Sequence, residues 1–168
     1  MSETPSIYNW TKNGLPWKWV YSPSTRPLTL APGQEIKYSE HVHPEGILAH
    51  AIAAFDSPNC GIRLWADPDL DTARTQTIIN TILGGGYSPN RIWWASVPPT
   101  TLPGIYTLNL VREVPWLNFV EFYIFNDDTV PHTFISGGYT MAVLINKRPT
   151  PADQELLEVV KKQKGVIV

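Results

Sequence analysis

The chain holds one cysteine, Cys60, among 168 residues, so no internal disulfide can form and the redox compartment is left open. Charge of either sign is scarce. Lys and Arg number 13 against 15 Asp and Glu, and charged residues make up 17% of the chain. That balance excludes a strong surface field and the clustered cations that binding to a nucleic-acid backbone requires. No apolar run approaches the ~20 residues of a membrane helix. The opening MSETPSIYNW lacks the basic start and apolar centre of a signal peptide, so the expectation is a soluble chain with no membrane contact and no secretion address. The length suits one domain large enough to bury a core without metal or disulfide support.

Proline, glycine and aromatic residues are plentiful instead: 16 Pro, 11 Gly, 7 Trp, 7 Tyr and 5 Phe. The mixture reads as short strands broken by turns. PWKWVY at 16–21 puts Trp17, Trp19 and Tyr21 on one face by the period-two rule. LTLAPGQEIKYSEHV gives two strands around APGQ, and HPEG reverses the chain. ILAHAIAAFD at 47–56 is apolar enough to lie between two layers. GIRLWAD alternates Ile62, Leu64 and Ala66 against Arg63, Trp65 and Asp67. Further strands are expected in RIWWASV, GIYTLNLVREV, LNFVEFYIFND and, after VPHTFISGG, YTMAVLINK, giving eight or nine in all.

Helical spacing occurs twice. Leu70, Ala73, Thr77, Ile78 and Ile82 predict a helix over 69–83, closed by the glycines from Gly84. Thr150 caps a second helix over 150–164, with Pro151 at its first position, acids early and lysines late. The pattern predicts a mainly β antiparallel sandwich, jelly-roll-like, with an arm at 1–15, a sandwich domain at 16–149 and a helix and tail at 150–168.

Several clusters invite a chemical reading. His41 and His43 share one side of an extended segment and resemble the double histidine of the cupin family, with His132 in VPHTF as a distant third ligand. The family's glutamate belongs where Ile47 or Leu48 stands, and Glu45 comes too early, so a metal-dependent enzyme is the third-ranked reading. His50, within an apolar strand, is expected to hydrogen-bond in or beside the core. Asp67, Asp69 and Asp71 have the spacing that opens a calcium loop, but Thr72 and Ile78 replace the glycine and glutamate that such a loop needs. Cys60 reads as a packing residue. Neither a catalytic residue nor a cofactor is expected.

The tryptophans say more. Trp65 lies opposite Ile62 and Leu64, and adjacent Trp93 and Trp94 must point to opposite sides of their strand. Outward tryptophans anchor protein contacts or stack on sugars. Trp10, Trp65, Trp93 and Trp94 are therefore the expected interaction surface, and the arm at 2–10 is expected to be ordered by a neighbouring copy.

The order PLTLAPGQEIKYSEHVHPEGILAHAIAAFDSPNCGIRLWAD resembles a strand rhythm in β-sandwich proteins of phage and archaeal-virus particles. FNDDTVPHTF and YTMAVLINKRP are similar to the closing strands of such domains, so the likeness spans residues 27–149. It implies a non-enzymatic virion component, whether capsid, decoration or appendage, that contacts copies of itself and other coat proteins. A carbohydrate-binding module using outward tryptophans, with a glycan as partner, is the main alternative.

Overall fold

A computed structural model describes residues 5–22, 26–42, 45–67, 70–72, 78–85, 92–96, 104–145 and 159. Helix α1 (Ile7–Lys12) precedes β1 (Trp17–Tyr21), β2 (Leu28–Leu30), β3 (Glu35–Val42), β4 (Gly46–Phe55), β5 (Cys60–Ala66) and β6 (Leu70–Asp71). Helix α2 (Ile79–Gly85) follows, then β7 (Trp93–Ser96), β8 (Tyr106–Leu110), β9 (Val114–Trp116), β10 (Phe119–Asn126) and β11 (His132–Leu144). The expected mainly β architecture is present as two antiparallel sheets.

Sheet I has seven strands in the order β1-β11-β4-β8-β7, with β2 also paired to β11 and β9 to β4. Sheet II has four, in the order β3-β10-β5-β6. One core joins them: Leu48, Phe55, Trp93, Leu108, Phe134 and Met141 from sheet I meet Ile62, Leu64, Val120, Phe122 and Ile124 from sheet II. Phe122 stacks on Tyr139 with ring centroids 4.8 Å apart, tying the two layers together.

Strand alternation explains which residues enter this core. In β5, Ile62, Leu64 and Ala66 are buried while Trp65 is exposed. In β7, Trp93 is buried and Trp94 is exposed, as two adjacent side chains on a strand must be. β4 carries Leu48, Ala51, Ala53 and Phe55 inward, and its register against β11 shifts between Thr140 and Met141. That irregularity turns His50 outward, so it is exposed rather than held in or beside the core.

Three expectations are corrected. The last strand, expected from Tyr139, begins seven residues earlier as the 13-residue β11, whose irregularity between Phe134 and Ser136 keeps the Phe134 ring in the core. Of the helix expected over 69–83, Leu70 and Asp71 instead pair with Ala66 and Trp65 as strand β6, Ile79 to Leu83 lie in α2, and 73–77 lie outside the described residues. The arm needs no neighbour for Trp10. Ser6 caps α1 by accepting a hydrogen bond from the Asn9 amide at 3.0 Å, and Gly14 just beyond it takes a φ of 64°. Trp10 is then fully buried against Ile47, Ala142 and Leu144 on the outer side of sheet I, with Ile7, Leu15 and Trp17 packed around it. Removing a tryptophan of this size from water contributes about 5 kcal/mol. Of the helix expected over 150–164, all but Val159 lies outside the described residues.

Candidate functional site

The candidate site grows from the end of β5. Trp65 projects from the outer side of sheet II, and its ring meets Phe119 edge-on at 5.1 Å between centroids. Phe119 opens β10 and is paired with Val42, the last residue of β3. Leu117 lies two residues earlier in the same turn. Val42 and Trp65, 52% and 40% exposed, flank Phe119 to make a small apolar patch, and Leu117, 42% exposed, lies on the turn beside it.

Asp67 holds this patch in shape. The alternation of β5 would send its side chain outward, but the strand ends at Ala66 and the carboxylate folds back beneath the 117–119 turn. Its Oδ1 accepts the backbone N–H groups of Asn118 and Phe119, each at 2.8 Å, and of Leu117 at 3.3 Å. Its Oδ2 accepts the Asn118 side-chain amide at 2.6 Å. Burial alone would raise the Asp67 pKa, but the bonds from Phe119, Asn118 and Leu117 outweigh it and hold the carboxyl below its ordinary value. An anion fastened by successive amides makes a rigid turn, and Leu117 and Phe119 ride on it.

Charged residues border the apolar centre on the neighbouring strands. Trp65 is in register with Asp71 on one side and Glu121 on the other, and Glu121 with Glu40. Lys37 bridges Glu121 at 2.7 Å and Glu40 at 2.9 Å. Arg63 reaches Glu35 at 3.3 Å and Asp71 at 3.4 Å while lying 4.0 Å over the Tyr123 ring. Glu121, pushed up by burial, is brought below its ordinary pKa by hydrogen bonds from Lys37 and Tyr123. Exposed pairs of this kind contribute little stability, but they fix the side chains around Trp65. An apolar centre with a polar rim is the anatomy of a protein contact surface.

The other sequence candidates are scattered. Trp10 and Trp93 are fully buried within their own chain, so of the four expected surface tryptophans only Trp65 and Trp94 are exposed. They stand on different sheets. His41 packs edge-on to Trp116 at 5.1 Å, and burial, with Lys18 next, pushes its pKa down. His132 lies between Asp56 at 3.1 Å and Asp128 at 3.0 Å, at the other end of the strands. His41 pairs with Val120, whereas the His132 partner Leu30 receives the side chain of Asn126. The two imidazoles are therefore about 20 Å apart along the strand direction and share no site. His43 and Asp69 lie outside the described residues.

Both Asp67 oxygens are engaged by the 117–119 turn, and Asp71 pairs with Arg63. Among the described residues no cluster of three or more His, Cys, Asp or Glu could hold a metal ion. Cys60 is buried, and burial first, then the Asp56, Asp128 and Asp127 carboxylates, push its thiol up to about 12. Sequence reasoning missed the role of Asp67 and the exposure of Val42 and Leu117. The signal available was WLNF, a polar residue set between large apolar ones just before a strand. No helix among the described residues is long and apolar enough to cross a membrane. No protein-family model matches the chain, and comparison with curated proteins gives no match.

Proposed function

We propose that this chain is a non-enzymatic building block with a jelly-roll fold, acting through self-association and contacts with other particle proteins at the Trp65 patch. Strand order supports the fold. With β7 and β9 set aside, sheet I runs from β1 and β2 through β11 and β4 to β8, and sheet II runs β3-β10-β5-β6. Successive connections thus cross repeatedly between the layers, from β2 to β3, β3 to β4 and β4 to β5, and late from β8 to β10 and β10 to β11. Such a path is what two nested Greek keys require, an architecture used by viral capsid and lectin domains, and it supports the jelly-roll reading. The virion setting rests on the resemblance carried by residues 27–149.

One observation carries the proposed role: Trp65, on β5, packs against Phe119 on a turn already fastened by Asp67, with ion pairs on the neighbouring strands beside it. A rigid aromatic anchor loses little freedom on binding, and truncating such an anchor costs 2 kcal/mol or more, roughly thirtyfold in affinity. Sedimentation velocity over a concentration series is the test, with particle proteins added in a second series. The protein is expected to associate in at least one series, with Trp65→Ala weakening that association about thirtyfold. A monomer in both series, or association equally strong in Trp65→Ala, refutes the reading.

A further inference from the structure

We propose that the outer face of sheet I is a second site, a platform that binds a neutral glycan chain. Strand register lays out its parts. One row across the sheet runs Trp94, Asn109, Ile52, Gly138, and a neighbouring row runs His50, Thr140, Tyr21. Trp94 and Tyr21, 43% and 66% exposed, stand at opposite margins with a low floor between them. At Gly138 a Cβ would come within 2.9 Å of the Ser22 hydroxyl, so that position stays flat. Helix α1, seated over Ile47, Ala142 and Leu144, closes the face at one end.

Charge selects the ligand class. Among the described residues, the outward positions of the sheet I strands carry no Asp, Glu, Lys or Arg, while sheet II displays Lys37, Glu40, Arg63, Asp71 and Glu121. An ionic ligand would meet no opposite charge on this platform, whereas a neutral one has none to satisfy. The floor is nevertheless polar. His50 and Thr140 make no side-chain hydrogen bond to the protein among the described residues, and Asn109 donates only a long 3.4 Å bond to Thr107, leaving its carbonyl oxygen free. Sugar hydroxyls both donate and accept, and the C–H face of a pyranose lies flat on an aromatic ring, which matches open hydrogen-bonding groups between aromatic margins.

The two rows set the shape of the site. Four strand steps of ~4.8 Å by two pleats of ~6.7 Å make a footprint of about 250 Å². That long, narrow strip suits a chain lying across the strands.

Affinity electrophoresis of the full chain through gels containing barley β-glucan, xyloglucan, galactomannan or soluble starch tests the proposal, with alginate as an anionic comparison. At least one neutral polymer is expected to retard the protein, with the Kd raised about tenfold by Trp94→Ala and by Tyr21→Ala. Both rings are exposed, so both variants should keep the far-ultraviolet circular dichroism of the parent. Trp65→Ala, which impairs assembly under the preceding reading, is expected to bind the polymer normally, so the two proposals fail separately. Retardation by none of the neutral polymers, retardation by alginate alone, or equal retardation of the parent and both platform variants would overturn the proposal.

Discussion

Replacing Asp67 by alanine is the sharpest test of how the 117–119 turn is held. The substitution removes the acceptor of three backbone N–H groups and one side-chain amide at once. Hydrogen bonds to a charged group contribute about 1.5–3 kcal/mol each, but a turn at the sheet end can recover part of that from water. A net loss of about 3 kcal/mol is expected, which for a chain of this size lowers Tm by roughly 6–12 °C. Asp67→Asn keeps one acceptor oxygen but sets its NH2 against that of Asn118, donor facing donor, and should cost about half as much. The pH dependence has a definite sign. The folded carboxyl lies below its ordinary value, so its stabilisation is complete above the unfolded pKa of ~3.9 and is lost as pH falls through the lower folded value. Thermal melts of parent and variants between neutral and acidic pH measure both effects. A Tm for Asp67→Ala within about 2 °C of the parent, or a gap that widens on acidification, would refute the reasoning.

Three further outcomes follow from local geometry. Gly46→Ala drives a Cβ into the Trp116 ring and should destabilise the protein by about 1–3 kcal/mol, read by denaturant titration with tryptophan fluorescence. Cys60, with its thiol pushed up to about 12, should not react with a disulfide reagent at pH 8 in the native state and should react fully in denaturant; rapid native labelling would contradict its burial. His132→Ala releases Asp56 and Asp128 from the ring that joins them, and should lower Tm and speed amide exchange in the turn before β11; unchanged exchange there would show that the clamp holds nothing.

Legibility in the sequence depended on whether a residue answers to its own strand or to a distant neighbour. β5 was readable because Ile62, Leu64 and Ala66 face one sheet partner while Arg63 and Trp65 face water, and nothing interrupts the period. The opposition of Trp93 and Trp94 follows from the pleat alone. β11 was half concealed. Its glycines interrupt the apolar alternation, yet Gly137 is required because a Cβ there would sit 2.7 Å from the Phe134 ring, a contact set by an irregular register invisible in one dimension. Trp10 was misplaced for a related reason: the arm has no apolar period of its own, and the pocket that seats it is made by β4 and β11. At the site, Trp65 could be found from alternation. Asp67 could not, because it lies one residue beyond the strand whose parity would have sent it outward.

β11 pairs with β1, β2 and β4, and Trp17 finds its partner at Leu144. During synthesis, then, the first strands of sheet I wait with one edge unsatisfied until nearly all of the described chain has left the ribosome. Sheet II is less dependent, since its last strand, β10, emerges earlier. Contacts of such long sequence separation place folding in the millisecond-to-second range rather than the microseconds of local structure. Until β11 arrives, the apolar β4 is an exposed, pairing-competent segment, and aggregation in the cell should depend on how quickly ribosomes pass from codon 55 to codon 144.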